Sequence, residues 1–369
     1  MTWRPRASSL VLSLSLPVSF LAVGVDMAPL AGAGPRPAAS TIRTAGPQTL
    51  SIGGSRADAG SLLPSTPGVR APAPSSRPAP ASVFLPAATT KPFFGVAVPN
   101  ADLATIPAIT SAAGEQPSVL NIFLKLDSPF TTKKLTDISA AGMKPYVSLE
   151  PWSWKTSGDG ADQPAYALKS IYNGSHDADF KRIAAVIAAA KTPIYLRFAH
   201  EMNAWWYPWA EAVNGNKPGE YVRAWNHVHD LFAAAGATDV KWVWSPNAVI
   251  NNHANTTALS GLLPPTGSFN LAGLTCYGHS TTASKTCVPT LTQIAKLTTK
   301  HVVISEVGAD GTGKAAWISS MTAMFKAYPQ VSGFNWFNTN PKTTGASGYY
   351  EFTDTPADTA AFRGMLLGR

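Results

Sequence analysis

From Pro92 onward the chain alternates short apolar runs with longer stretches whose apolar residues recur every three or four positions. The runs are Phe93–Pro99, Val119–Leu126, Lys144–Trp152, Pro193–Glu201, Val240–Asn247, Leu271–Gly278, His301–Ala309 and Val331–Asn338, each bounded by Gly, Pro, Asn or polar residues. They are too short for ordinary helices and read as buried strands. Between them, Asp177–Lys191 sets Phe180, Ile183, Ala184 and Ile187 at helical spacing, Glu220–Gly236 stops on a glycine, and Lys314–Tyr328 and Pro356–Leu367 repeat the pattern. Eight strand–helix units predict an α/β chain folded as a closed (β/α)8 barrel, a TIM barrel, over residues 92–369. The phosphate-loop glycines of an open doubly wound sheet are missing, and no linker near the middle divides the run into two domains.

Upstream the texture differs. Residues 34–91 are rich in Pro, Ala, Ser, Gly and Thr, with PAPSSRPAPAS at their centre, a composition with too little apolar surface to offset ordering entropy; a disordered linker is expected there. Residues 1–33 resemble a secretory signal peptide: Arg4 and Arg6, an apolar stretch over Leu10–Val25, then small residues around Ala31–Ala33. That stretch is short for a membrane span, so no stable membrane insertion is expected once the leader is removed, and a secreted or surface-retained product is. Formal charge is +8, but residues 1–91 carry +6 of it and the rest only +2, without a basic run to track phosphates. The excess belongs to the tail, and no nucleic-acid partner is expected. The cysteine count is two, and Cys276 and Cys287, closely spaced in a chain read as exported, suit one disulfide; two buried thiols are the alternative.

In a barrel of this kind chemistry gathers where strands end. The ends read Glu150-Pro-Trp152, His200-Glu201, Trp244 to Asn247, Cys276-Tyr277, Ser305-Glu306 and Asn335-Trp336, so polar and aromatic groups converge on one rim. By period two, Tyr195, Arg197, Ala199 and Glu201 share a face, and Glu306 shares one with Val302 and Ile304. A charged Arg and Glu within an apolar strand need partners or a job; a structural Arg–Glu pair is the plain reading. Glu201 and Glu306, at the fourth and seventh strand ends, face each other across the mouth, and a pair of carboxyls is what glycoside hydrolysis requires.

The segments RFAHEMNAWWYPW, WVWSPN at Trp242–Asn247, CYG at Cys276–Gly278, ISEVGA at Ile304–Ala309 and the FNWF of the last run resemble glycoside hydrolase family 26, from about Phe93 to the C-terminus. The resemblance implies a retaining endo-β-glycanase with Glu201 as acid/base and Glu306 as nucleophile. It further implies His200 beside the acid/base, Tyr277 hydrogen-bonded to the nucleophile and Trp336 as platform for the cleaved sugar. Ala204 departs from the glycine often found there, which touches loop shape and substrate preference. Arg197, Trp205 and Trp152 join the expected substrate contacts; Trp154, Trp206, Tyr207, Trp209 and Trp244 offer further flat faces whose alternative is core packing. The expected substrate is β-linked polysaccharide, β-1,4-mannan first and mixed-linkage β-1,3-1,4-glucan second, with β-1,3-xylan more remote. No cofactor and no metal are expected, and the chain is taken as a monomer. A sugar binder without turnover and a surface polysaccharide-processing enzyme are the competing classes.

Three other signals are set aside. Gly308 to Lys314 nearly spells a phosphate loop but fails at Ala315. His227 and His229 lie two apart on a helix and point away from each other. Asp159 and Asp162 offer too few ligands for calcium.

Overall fold

A computed structural model describes residues 91–153, 161–251, 258–278, 281–344 and 348–369. The leader and nearly all of the linker, together with Trp154 and Asp159, lie outside the described residues. Eight parallel strands close into a barrel in sequence order: β1 Phe93–Ala97, β2 Val119–Lys125, β3 Lys144–Glu150, β4 Ile194–Phe198, β5 Val240–Trp244, β6 Leu271–Gly278, β7 Val302–Ala309 and β8 Val331–Phe337. The last pairs with the first, Phe93 opposite Gly333 through Ala97 opposite Phe337. The flanking helices are α1 Ile106–Ala113, α2 Thr132–Ala140, α3 Leu168–Tyr172, α4 Asp177–Ala190, α5 Glu220–Ala234, α6 Ala283–Leu297, α7 Lys314–Ala327, α8 Pro341–Thr344 and α9 Pro356–Gly368. Among the described residues no helix is long and apolar enough to cross a membrane.

The strands are buried on both faces, as parallel strands wrapped by helices must be, with Phe123 of β2 exposed at the mouth. The outer faces meet the helices: Phe198, for example, packs on Phe180 of α4 and Trp225 of α5. The lumen is layered. Its lower layer is apolar, with Phe93, Val119, Tyr146, Tyr195, Val243 and Val303 in one cluster. Its middle layer is polar: Asn121, Ser148, Arg197, Ser245, Thr275, Ser305 and Asn335 are all buried there. Asn121 accepts from Ser148 Oγ (3.0 Å), Tyr146 donates to Ser305 Oγ (2.8 Å), and Asn335 donates to the Ser305 carbonyl (3.3 Å).

Two departures from regular strand geometry position the mouth. The β6–β7 register shifts between Leu274 and Thr275, and that of β7–β8 between Ile304 and Val307. Val302 and Ile304 pack outward in the main core, and strict alternation would send Glu306 with them. The irregularity turns both Ser305 and Glu306 into the lumen instead, as a bulge does when it re-aims a side chain. Just past β4, Ala199 (φ 44°) and Glu201 (φ 55°) adopt left-handed backbone, so the shared face expected for Arg197, Ala199 and Glu201 stops at Phe198.

Room for the polar layer comes from a small residue on β6. A Cβ added at Gly273 would collide with Ser305 Oγ and come within 2.7 Å of Ser245 Cβ. Gly273→Ala is therefore expected to keep the far-UV circular dichroism of the barrel while lowering its stability by about 1–3 kcal/mol, read from the midpoint of urea unfolding.

Candidate active site

The centre of the site is Arg197. It is fully buried, and a lone guanidinium there carries a desolvation cost that only partners offset. Its Nη1 donates to Glu306 Oε2 at 2.7 Å and to Ser148 Oγ at 3.4 Å, its Nε to Ser245 Oγ at 3.1 Å, and its Nη2 to Thr275 Oγ1. Burial alone would depress the guanidinium; the charges of Glu306, Tyr146 and Glu201 reverse this and raise it. The Arg–Glu pair anticipated within β4 thus forms across the barrel, to Glu306 on β7. The second carboxylate oxygen of Glu306, Oε1, accepts from Tyr277 Oη.

Glu201 stands opposite in different surroundings. Trp206 Nε1 donates to its Oε2 at 2.8 Å, and the Asn247 side chain also bonds it. The turn carrying it is clamped to the end of β5: Asn203 donates to the Asn247 carbonyl at 2.9 Å and accepts from the Asn247 amide at 2.7 Å. Glu201's own amide donates to the Ser245 carbonyl at 2.8 Å. Burial, then the charge of Glu306, push the Glu201 carboxyl up to about 7, against the opposing pull of Arg197, Trp206 and Asn247. One carboxylate oxygen of each glutamate and a ring nitrogen of His200 lie within 4.8 Å of one another. These three are the atoms a metal would choose, but Arg197 and Tyr277 already occupy both oxygens of Glu306, and the adjacent guanidinium repels a cation. The arrangement suits proton transfer by one carboxyl and attack by the other.

The remaining sequence-derived candidates divide by placement. Trp205 stands on the rim, 43% exposed, edge-on to Trp206 at 5.8 Å. Tyr277 and Glu306 meet as described. His200 is wholly buried beneath the mouth, its Nε2 3.1 Å from Tyr207 Oη; burial first, then Arg197's charge, hold it well below the ordinary histidine range, so it is neutral. Arg197, expected to touch substrate, has no exposed surface and acts from below through Glu306. Trp152 is buried edge-on against Tyr207 (5.5 Å) and Trp209 (5.7 Å), and its indole donates to Glu150 Oε2 at 3.3 Å. Trp336 is a correction: it faces outward, packs on Phe362 at 5.2 Å and donates to the Tyr350 carbonyl at 2.7 Å. Alternation along β8 puts Asn335 and Phe337 inward, and Phe337 takes the place on the mouth, 5.9 Å from both Tyr277 and Phe123. Trp209 and Trp244 are core.

Sequence reasoning missed Phe123, Lys125, Ser148, Asn203 and Thr275. Strand parity from Asn121 would have found the first two; the others needed neighbours far away in the chain. The motifs set aside have structural partners. Lys314 is held by the Glu351 carbonyl and Asp354, His227 by Asp177 (2.6 Å), and His229 lies against Trp242 (5.0 Å). Cys276 at the end of β6 is disulfide-bonded to Cys287 on α6, with a Cα separation of 5.6 Å.

A parallel eight-stranded barrel with two close, unequally placed carboxyls at its C-terminal mouth has the form of a carbohydrate-cleaving site. The sequence model described as glycosyl hydrolase family 26 matches residues 136–354, more than half of the chain, and the chain belongs to that family. Endoglucanase H of Acetivibrio thermocellus is 29% identical over 232 residues, which cover 59% of this chain and 23% of that protein, so the chain spans under a quarter of its relative's length. The fold is shared with a modular endo-β-1,4-mannanase of Cellulomonas fimi (TM-score 0.60, 18% identity, 75% of this chain and 70% of that one). It is shared also with a family 26 β-mannanase of Bacteroides ovatus (TM-score 0.58, 18% identity, 76% and 88%).

Two outcomes follow from this geometry. Trp206→Phe removes a donor that favours the charged form of Glu201, so the carboxyl is expected to titrate above about 7; a ¹³C titration of Glu201 showing no upward movement would refute the bond's role. Arg197→Met leaves Glu306 buried without its cation, and unfolding by denaturant is expected to show a loss of about 3–5 kcal/mol.

Proposed function

We propose that the barrel is a retaining endo-β-glycanase acting by double displacement, with Glu201 as acid/base and Glu306 as nucleophile. The observation that carries this reading is the closeness of the two carboxyls, with oxygens within 4.8 Å, and their unequal settings. Retaining enzymes hold the pair about 5–5.5 Å apart, whereas inverting ones leave about 6.5–9.5 Å for a water. In the first step Glu306 attacks the anomeric carbon while Glu201 gives its proton to the departing glycosidic oxygen. In the second, Glu201, now ionised, takes a proton from water, whose oxygen displaces Glu306 and restores both groups.

Tyr277 and Arg197 hold Glu306 in line by its two oxygens, and Arg197 offsets its charge until the bond to sugar forms. The left-handed backbone at Glu201, tied by Asn203 and Asn247, fixes the acid on the other side of the bond. β-1,4-Mannan is the first polymer proposed. A mixed-linkage β-1,3-1,4-glucan is the second, favoured by the relative named an endoglucanase, whose 29% identity exceeds the 18% of the mannanase structures. Export by the leader-like first 33 residues and action as a monomer complete the proposal.

The test is reducing-sugar release from mannan, mixed-linkage glucan, xylan and cellulose. Glu201→Ala is expected to cost about 10²–10⁴-fold in rate and Glu306→Ala to abolish turnover. The first product seen by NMR should keep the β-configuration. Because glycosylation needs Glu201 protonated, kcat/KM should be level at lower pH and fall as pH rises through about 7. Inversion, or activity in Glu306→Ala, would overturn the mechanism. No release from any polymer by the intact chain would leave sugar binding without turnover.

A further inference from the structure

The mouth holds a second charged pair that double displacement does not use. Lys125 ends β2 and Glu150 ends β3. Alternation puts them on the lumen side, in line with Asn121 and Phe123 on one strand and Tyr146 and Ser148 on the other. Their Nζ and Oε2 atoms are 3.9 Å apart, beyond ordinary hydrogen-bond length. Each residue is 5% exposed, the same as Glu201 and close to the 8% of Glu306, so the pair lies as deep as the two carboxyls.

A buried ion pair is seldom a gain in stability over apolar residues of like volume, so its presence here asks for another reason. Burial lowers Lys125 to about 8 despite the charges of Glu150 and Asp127, and raises Glu150 despite Lys125 and Trp152. Next to the pair on the same face of β2, Phe123 is 37% exposed inside the mouth, edge-on to His200 at 6.3 Å and to Phe337 at 5.9 Å.

A part-exposed aromatic ring beside one strong donor and one strong acceptor matches the chemistry of a pyranose. Its C–H face stacks on a ring, and two neighbouring hydroxyls take a hydrogen bond from an ammonium and give one to a carboxylate. The pair is neutral as a unit. Asp127 adds one further negative charge near Lys125, which disfavours a uronic acid, so the site suits an uncharged hexose. We propose that Phe123, Lys125 and Glu150 form a sugar-selecting subsite of the groove, with Phe123 stacking a neutral hexose unit and the Lys125–Glu150 pair reading two adjacent hydroxyls. This deepens the glycanase reading and rests on it.

The experiment compares the full chain with Phe123→Ala, Lys125→Met, Glu150→Gln and the double variant Lys125→Met/Glu150→Leu. It measures kcat/KM on manno-oligosaccharides and on mixed-linkage gluco-oligosaccharides, and calorimetric binding of the same sugars to each variant in a Glu306→Ala background. Each single variant is expected to lower kcat/KM on the preferred sugar at least tenfold, mainly through KM, and to change the manno-to-gluco ratio. The fall of activity near pH 7 should remain in place. The double variant decides, because it leaves neither charge buried without the other and should keep the parent's far-UV circular dichroism while losing the sugar preference. A double variant with the parent's ratio and KM overturns the proposal and makes the pair structural only. If the intact chain cleaves neither sugar, binding separates the two readings: affinity that drops in the variants keeps the subsite and removes the hydrolase, and affinity that is absent or unchanged removes both.

Discussion

The ion pair between Arg197 and Glu306 is the constraint around which this barrel is built. A guanidinium without exposed surface at the centre of a lumen has to be surrounded by acceptors, and β3, the residue after β5, β6 and β7 each supply one: Ser148, Ser245, Thr275 and Glu306. A middle layer of branched apolar residues, the usual filling of such barrels, is thereby ruled out at this level. The small side chains of the layer and the glycine on β6 follow from the need to fit a planar five-donor group among eight strands. The apolar layer beneath keeps water out, which strengthens every interaction above it.

That pairing also makes the two glutamates unequal. Two carboxyls this close cannot both ionise freely, and the environment decides which one holds the proton. Arg197 bonds Glu306 directly and reaches Glu201 only as a more distant charge. Glu201, buried and facing a carboxylate, is the one driven up to about 7. Trp206 and Asn247 pull in the opposite direction, so the value reflects a balance of opposed effects. The neutral His200 beneath fits the same field: with Arg197 near it, a second positive charge in the floor is unfavourable.

The barrel was legible in the sequence because each strand lies within one short apolar run bounded by Gly, Pro, Asn or polar residues. All eight strands lie within the runs read from the pattern, and Leu271–Gly278 coincides with β6 end to end. Side-chain direction was legible only where alternation is unbroken. It fails at Glu306, where a bulge adds a residue on the lumen side, and at Glu201, where two left-handed residues follow Phe198. On β8 the alternation is intact: strict parity from Asn335 sends Trp336 outward and Phe337 inward, and the resemblance to the family pointed to the neighbouring tryptophan instead. The polar partners of Arg197 come from residues 48 to 109 positions away in the chain, a relation that no local pattern encodes.

The left-handed conformations at Ala199 and Glu201 have a physical role of their own. Non-glycine residues with positive φ persist when surrounding contacts over-determine them. Here those contacts are identifiable: the Ala199 amide to Leu149, the Glu201 amide to Ser245, the reciprocal Asn203–Asn247 clamp and the Trp209 indole to the His200 carbonyl. Together they let the chain leave β4 abruptly, so that Glu201 stands over the lumen beside Glu306 instead of continuing up the barrel wall. The bulge on β7 does the same for Glu306 from the other side. The two carboxyls therefore meet because the chain departs from regular strand geometry just past β4 and within β7, and the hydrogen bonds that hold the turn after β4 are as much a part of the site as the carboxyls themselves.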